Sequence, residues 1–285
     1  MRLIRFGAPG RERPGVLMPD GTRLDVSDHI QDYTPEFFAA GGLDRLGKLI
    51  TEHGGDCPPA DRKARLGPPI ARPHKFLAIG LNYRKHAAEV GAEIPKEPIV
   101  FTKQSSCICG PNDEVMQPKG STKLDYEVEL AVVMKTKLRY LEKESDALKY
   151  VAGFTICNDV SERAFQLERG PTWTKGKSAD TFGPLGPTLV TAGDVPDYDN
   201  QEIQLKVNGQ MRQDSNTNDL IFTVPHLIWY ISQFFTLEPG DVITTGTPSG
   251  VAAGMKPPQW LKPGDEVELT IGKLGTQTQH IVAPK

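Results

Sequence analysis

The chain has 285 residues, enough for one large domain or for a main domain with a smaller partner, and its hydrophobic fraction of 38% allows a substantial buried core. Its 36 acidic and 33 basic residues give a formal net charge of -3, which argues against nucleic acid as a partner. The 28 glycines and 24 prolines favour a loop-rich β or α/β protein.

The amino-terminal residues contain no apolar stretch as long as a signal peptide or a membrane span requires, so we expect no membrane association. The four cysteines are too few and too irregularly spaced for a disulfide framework, and no Cys-x-x-Cys pair suggests zinc. Cys107 and Cys109 are interpreted as small buried or semi-buried residues rather than metal ligands. Together these features predict a cytoplasmic protein.

Residues 1–70 are predicted to form a small amino-terminal α+β domain that ends in a linker. Apolar runs at residues 1–6 and 15–18 predict a hairpin, and helical spacing of leucines and an isoleucine predicts a helix over residues 43–50. Five prolines within residues 57–73 indicate the linker. No cluster of titratable residues suggests chemistry here, so we expect a structural or dimer-supporting role.

Residues 71–285 are predicted to form the catalytic domain, which is mainly β because strand-like segments follow one another with few long helices between them. The predicted strands cover residues 76–79, 99–102, 126–134, 150–156, 204–207, 241–245 and 267–271. The dipeptide Asn208-Gly209 is typical of a type I′ hairpin turn. Apolar periodicity predicts helices over residues 86–90 and 225–235.

The segment LDYEVELAVVM places three carboxylates on one face of a predicted strand, because alternate residues of a strand share a face. Asp125, Glu127 and Glu129 would repel one another unless solvent, basic groups, protonation or a cation relieved the repulsion. An exposed face would be an ordinary solvated edge. The continuation of the same face into Ala131 and Val133 favours a partly buried one.

A second apolar segment ends in Asn158-Asp159, so that Asp159 is placed to join Glu127 and Glu129 around one divalent cation. Oxygen ligands of this kind suit magnesium first, although manganese or calcium would accept the same ligands. The ligand type is therefore better defined than the metal.

His86 and Glu89 are three residues apart on a predicted helical turn, so the carboxylate could orient the imidazole as a general base. Such a pair is also common on solvated helices, but the flanking glycines favour a segment that folds over a site. Lys177 lies in a glycine-rich loop where it could stabilise developing negative charge. Residues 244–250 offer hydroxyl and N–H groups to an anion. The loop that contains Lys177 and the loop over residues 244–250 could each also be an ordinary turn.

Five segments, in the order GLNYRKHAAE, DYEVELAVV, NDVSERAFQ, KGKSADTFGPLGP and TGTPSGV, together resemble the fumarylacetoacetate hydrolase superfamily. The resemblance implies a mixed β-sheet roll that forms a homodimer, with the active site at one mouth of the roll. It implies Mg²⁺ or Mn²⁺ held by Glu127, Glu129 and Asp159. Asp125 has no counterpart among the family's metal ligands and is expected to be structural or to support them.

The same resemblance implies the other site residues. It implies a His86 and Glu89 pair and an active-site lysine at Lys177. It also implies substrate contacts from Arg163, Gln166 and Thr247. We expect a further substrate contact from Lys103, the first residue of a loop. Residues 103–111 and 255–260 are the loops from which we expect contacts with the acyl group.

The resemblance implies a metal-dependent hydrolase that cleaves a carbon–carbon bond in a 2,4-dioxo acid, also called an acylpyruvate. We expect 2,4-didehydro-3-deoxy-L-rhamnonate or its fuconate equivalent as the small 2-oxo acid substrate, with pyruvate and a hydroxy acid such as lactate as products. The alternatives are an oxaloacetate decarboxylase or tautomerase and a ureidoglycolate lyase. An alternative of another class is a non-catalytic scaffold that keeps the β-roll.

Overall fold

The computed structural model describes residues 1–284, and Lys285, the last residue of the predicted catalytic domain, lies outside them. The strands are β1 (Arg2–Phe6), β2 (Arg13–Leu17), β3 (Arg23–Asp25), β4 (Leu66–Gly67), β5 (Phe76–Gly80), β6 (Ile99–Lys103), β7 (Ile108–Cys109), β8 (Val115–Met116), β9 (Leu124–Asp125), β10 (Val128–Met134), β11 (Val151–Asn158), β12 (Ser161–Glu162), β13 (Gly183–Thr191), β14 (Glu202–Val207), β15 (Gln210–Asn216), β16 (Val242–Thr244), β17 (Glu266–Ile271) and β18 (Gly275–Val282). The α-helices are α1 (Pro35–Ala39), α2 (Gly42–His53), α3 (Arg84–Glu89), α4 (Arg163–Leu167), α5 (Thr174–Lys177) and α6 (Val224–Phe234). None of the helices in this range is long and apolar enough to cross a membrane.

Two sheets contain most of the strands. The larger has the order β3-β2-β1-β13-β11-β10-β16-β5-β6, with β4 and β7 pairing beside this path, and the smaller has the order β15-β14-β17-β18-β8. Strand β9 pairs separately with β12. Most neighbours are antiparallel, but β16 with β5, β13 with β7 and β18 with β8 are parallel. The prediction of a mainly β fold with mixed sheets is confirmed.

Strand β10 lies inside the larger sheet, between β11 and β16, and all of its residues are buried. The sequence predicted that one face of this strand is only partly buried. Both faces are instead fully buried, because β14 and β17 of the smaller sheet pack against β10. A strand covered in this way needs apolar side chains on both faces, and Leu130 and Ala131 are both 0% exposed. The strand begins at Val128, two residues later than predicted.

The amino-terminal strands belong to the larger sheet. Strand β1 forms the predicted hairpin with β2 and also pairs with β13, where Arg2 is opposite Val190. Helix α2 covers the predicted helical segment, and β4, within the predicted linker, pairs with β1. The division of the chain near residue 70 stays a prediction.

Local sequence signals account for several connections. Asn208 and Gly209 join β14 to β15 with φ values of 50° and 76°, the left-handed conformation that a type I′ turn requires. Helix α6 begins after Thr223, whose side chain accepts a hydrogen bond from the backbone N–H of His226. Pro225 lies in the first turn, where a backbone N–H would have no helical partner.

Gly153 allows β11, the strand that leads to Asp159, to approach β13 closely, because a Cβ at this position would lie 2.1 Å from the carbonyl oxygen of Val190. We expect Gly153→Ala to lower the free energy of unfolding by about 2 kcal/mol, since the β13 backbone would have to move. Gly193→Ala, whose Cβ would meet nothing within 4 Å, is the control, with an expected change below about 0.5 kcal/mol. Urea unfolding followed by circular dichroism measures both, and equal losses in the two variants would contradict the expectation.

Candidate active site

Three buried carboxylates meet where β10 begins and β11 ends. Glu127 immediately precedes β10, Glu129 is its second residue, and Asp159 immediately follows β11. The two strands are antiparallel neighbours, and the backbone N–H of Asp159 donates to the carbonyl oxygen of Glu127 at 2.9 Å. One oxygen from each carboxylate lies within 4.8 Å of the others. The structure therefore brings together the three residues predicted as metal ligands.

Three basic side chains compensate two of these carboxylates. Arg163 donates from Nη2 to Glu127 at 2.6 Å, and Lys177 donates to both Glu127 and Asp159. Lys103 donates to the other oxygen of Asp159 at 2.6 Å. Burial raises the pKa of Glu127, but Arg163 and Lys177 outweigh it and hold that pKa at about 2. Burial would lower the pKa of Lys103, yet the neighbouring Asp159 raises it above its usual value.

Glu129 has no basic partner in this cluster. Its Oε2 accepts a hydrogen bond from the backbone N–H of Gly246 at 2.8 Å, and its Oε1 has no donor within residues 1–284. Burial, followed by the charges of Asp159 and Glu127, raises the pKa of Glu129 well above its usual range. With Asp125 included, four buried carboxylates face the three basic side chains. One carboxylate therefore lacks a compensating positive charge.

A hard divalent cation fits this cluster. The available donor atoms are carboxylate oxygens, which are the ligands that Mg²⁺ and Mn²⁺ prefer. Such an ion would also offset the excess negative charge that Glu129 leaves among buried groups. Glu127, Glu129 and Asp159 are the residues that would hold it.

His86 and Glu89 form the predicted pair on α3. The Nδ1 of His86 lies 3.0 Å from Oε2 of Glu89, and Oε1 of Glu89 accepts a hydrogen bond from the backbone N–H of Gly250 at 2.8 Å. Glu89 is therefore held between α3 and the loop that follows β16. In the tautomer that donates Nδ1–H to Glu89, the Nε2 atom of His86 is available to accept a proton.

One cavity of about 230 Å³ joins the imidazole to the carboxylate cluster. Its size suits a small acid, since pockets for drug-sized ligands are roughly 300 Å³ or more. The residues that line it combine the charged groups with an apolar wall: Ile79, Gly80, Leu81, His86, Val90, Phe101, Glu127, Glu129, Arg163, Gln166, Leu167, Trp173, Lys177, Thr247, Val251 and Ala253.

Lys103 is placed differently from the prediction of a substrate contact. Its ammonium group is buried behind Asp159, where it also donates to the backbone carbonyl of Lys177. Neither Lys103 nor Asp159 lines the cavity. The position of Lys103 therefore supports the carboxylate cluster instead of facing a substrate.

Arg163 links the cluster to the wall of the cavity. Its Nε donates to Asp125 at 2.8 Å and its Nη1 donates to Oε1 of Gln166 at 3.1 Å, in addition to the contact with Glu127. Asp125 further accepts a hydrogen bond from the backbone N–H of Ala252 at 2.8 Å. Asp125 thus fixes the guanidinium and a nearby loop, in keeping with the structural role expected from the sequence.

Thr247 lines the cavity, but its hydroxyl already has protein partners. It donates to the carbonyl oxygen of Val128 at 3.0 Å and accepts from Nε2 of Gln213 at 2.8 Å. Gln213 is fully buried on β15 and was not identified from the sequence. No local pattern marks it, because its partners lie far away along the chain.

The apolar wall was also missed by the sequence analysis. Phe101 and Trp173 pack edge to face with ring centroids 5.2 Å apart. Residues 103–111 and 255–260, which were expected to contact the acyl group, contribute nothing to the cavity lining within the described chain. Phe101 lies in β6, which the sequence predicted as a strand, and Trp173 immediately precedes α5, but neither position carries a local pattern that indicates a cavity.

A larger cavity of about 760 Å³ lies elsewhere, beside Arg65 and Asp113. Several of its charged groups pair with one another: Arg65 donates to Asp113 at 2.6 Å and to Glu12 at 2.9 Å. None of the predicted catalytic residues, metal ligands or individually named substrate contacts lines this cavity, although residues 105, 106, 108 and 109 of the loop predicted to contact the acyl group do. The carboxylate cluster and the His86 imidazole meet at the smaller cavity, which is therefore the candidate active site.

Comparison with known proteins agrees with the geometry. The family model for the fumarylacetoacetate (FAA) hydrolase C-terminal domain matches residues 75–282. The chain belongs to the fumarylacetoacetate hydrolase family. A relative from Burkholderia multivorans, named as a hydrolase without a stated substrate, is 49% identical over 280 residues, with 98% of each chain covered.

Solved structures of this hydrolase family superpose on the whole chain. A fumarylacetoacetate hydrolase from Exiguobacterium antarcticum has 34% identity and a TM-score of 0.86, with 99% of each chain covered. A 5-carboxymethyl-2-hydroxymuconate delta-isomerase from Mycobacterium smegmatis has 31% identity and a TM-score of 0.77, with 100% of each chain covered. A maleylpyruvate hydrolase from Sphingobium sp. SYK-6 has 27% identity and a TM-score of 0.83, with 99% of this chain and 100% of that chain covered. The family thus contains enzymes with both hydrolase and isomerase names.

Glu129→Gln tests the metal assignment. In the absence of metal, this variant should be at least as stable as the wild type, because it removes a buried carboxylate that has no basic partner. A concentration of Mn²⁺ about 100 times its dissociation constant should stabilise the wild type by roughly 2.7 kcal/mol and the variant by much less. Thermal unfolding with and without Mn²⁺ measures both effects.

The control for this experiment is Glu268→Gln, which removes a partly exposed carboxylate on the smaller sheet that pairs with Lys206. It should keep the full stabilisation by Mn²⁺. The same Mn²⁺-induced shift in Glu129→Gln and in the wild type would rule out Glu129 as a ligand.

Proposed function

We propose that the protein is a metal-dependent hydrolase that cleaves the carbon–carbon bond between C3 and C4 of a 2,4-dioxo acid, with pyruvate as one product. The observation that carries this proposal is the single cavity shared by the His86 imidazole and by Glu129, the buried carboxylate that lacks a basic partner. A general base and a site suited to a divalent cation are the two components that such a hydrolysis requires.

The charged end of the cavity is the proposed binding site for the 2-oxo acid end of the substrate. A bound divalent cation would supply Lewis-acid stabilisation of negative charge at that end. Arg163 and Lys177 keep Glu127 ionised by ion pairing, so that the ligand set is ready for a cation. Gln166, oriented by Arg163, adds a neutral polar group to the same wall.

His86 is the proposed general base. Its Nε2 would take a proton from a water molecule whose oxygen attacks the C4 carbonyl, while Glu89 stabilises the positive charge that the imidazole gains. The bond between C3 and C4 then breaks, its electron pair remains on the pyruvate fragment as an enolate, and the acyl fragment leaves as a carboxylic acid. Protonation of C3 completes pyruvate, so one water molecule is consumed in each turnover.

Lys177 is the proposed electrostatic partner of the developing negative charge. Its ammonium group lies on the cavity wall between Glu127 and Asp159, which fixes its position before a substrate arrives. A positive group fixed in this way stabilises an oxyanion or enolate without having to reorganise. Thr247 lies on the same wall and, because its hydroxyl proton is donated to Val128, it is the proposed acceptor for a hydroxyl group of the substrate.

Within the acylpyruvates, 2,4-didehydro-3-deoxy-L-rhamnonate or its fuconate equivalent is the substrate that we propose, and lactate would be the second product. The homodimer and the cytoplasmic location are further proposals from the sequence. The reaction is tested by supplying these acids and 2,4-dioxopentanoate with Mg²⁺ or Mn²⁺ and measuring pyruvate. Release of CO₂ from oxaloacetate as the only activity would favour the decarboxylase alternative instead.

His86→Gln should lower kcat by about 100-fold or more, because the variant keeps a polar side chain but loses the base. His53→Gln is a matched control, since His53 also lies three residues before an acid, Asp56, on an exposed surface. Its kcat should equal that of the wild type. Pyruvate release under saturating substrate measures both variants, and a full kcat for His86→Gln would refute its role as the base.

A further inference from the structure

We propose that the cavity accepts acylpyruvates whose acyl group ends in an uncharged, apolar group, and that Phe101 and Trp173 determine this specificity. The inference rests on the proposed function and specifies its substrate at the end that lies away from the carboxylate cluster. A second carboxylate at that end is the group that the cavity disfavours.

The aromatic pair begins beside the charged end of the cavity. The Nζ atom of Lys177 lies 5.3 Å from the ring centroid of Phe101, and the ring centroids of Phe101 and Trp173 are 5.2 Å apart. Because Lys177 also contacts Glu127, these contacts lead from the cluster to an apolar surface. A substrate held by its 2-oxo acid end would therefore direct its acyl group along Phe101 and Trp173.

Trp173 is held in place by close packing on a strand. A Cβ at residue 80 would lie 2.5 Å from Cζ3 and 2.9 Å from Cη2 of the indole, so the ring rests directly on the backbone of Gly80. The remaining side chains of this wall are aliphatic: Ile79, Leu81, Val90, Leu167 and Val251. Val90 and Leu167 are 46% and 62% exposed, and an apolar acyl end would cover part of that surface.

The basic side chains that line the cavity are already paired. Arg163 donates to Glu127 and to two other acceptors, Lys177 donates to Glu127 and Asp159, and His86 contacts Glu89. Within residues 1–284, no other basic side chain lines the cavity. A terminal carboxylate on the acyl group would lose its water without gaining a partner, which is unfavourable. By contrast, the acyl group of 2,4-didehydro-3-deoxy-L-rhamnonate ends in a methyl group.

Two synthetic acids of similar shape test the specificity. The substrate 7-methyl-2,4-dioxooctanoate ends in an isopropyl group, and 2,4-dioxoheptanedioate has a carboxylate in its place. We expect kcat/KM to be at least about 30-fold higher for the isopropyl compound, because an unpaired carboxylate is costly to bury. Pyruvate release with the metal-loaded wild-type enzyme measures both values.

Trp173→Arg tests the assignment to the wall, because it places a cation where a terminal carboxylate would lie. The ratio of the two kcat/KM values should shift toward the dicarboxylate by about 10-fold or more. Phe234→Arg is the control, since Phe234 is 58% exposed at the end of α6 and outside the cavity. It should leave the ratio unchanged.

The outcomes separate this inference from the proposed function. Equal kcat/KM values, or preference for the dicarboxylate, in the wild type would overturn the inference and leave the hydrolase proposal intact. No pyruvate from either acid or from 2,4-dioxopentanoate would overturn the proposed function. An unchanged ratio in a folded Trp173→Arg variant would overturn the role of Trp173, and if that variant does not fold, the wild-type ratio decides the inference.

Discussion

Repulsion among carboxylates buried between β10 and β11 is the constraint around which the catalytic half of the molecule is arranged. Neighbouring carboxyl groups cannot all remain ionised in an apolar interior unless positively charged partners are held close to them. The partners come from three separate elements: Lys103 ends β6, Arg163 begins α4 and Lys177 ends α5. The cluster therefore connects an outer strand and two short helices to the centre of the larger sheet.

Positive charges balance all but one of the acids, and this incomplete balance distinguishes a binding site from a structural ion-pair network. Glu129 keeps an oxygen without a donor in the described chain, while Glu127 is held ionised by its neighbours. Beyond these groups the cavity becomes apolar at Phe101 and Trp173. A charged end and an apolar end within one small cavity impose a direction on any acid that enters it.

The sequence was most informative where a signal is local. Alternation along a strand placed Glu127 and Glu129 on one face, and helical spacing paired His86 with Glu89, so both of these groupings could be predicted without a structure. Features that depend on packing between distant segments could not be predicted from the sequence. The burial of Lys103 behind Asp159 and the seating of Trp173 on Gly80 join segments 56 and roughly 90 residues apart, and no short pattern encodes them.

The pairing of β1 with β13 has a consequence for how the molecule folds. Arg2 is opposite Val190, so this contact joins residues separated by most of the chain, and such contacts form slowly. During synthesis β1 emerges long before its neighbour, and until the two meet, β13 has an unpaired edge that could bind another chain. Strand β1 is thus made early but completes its pairing late, and once paired it covers the edge of β13 in the sheet that supports Asp159.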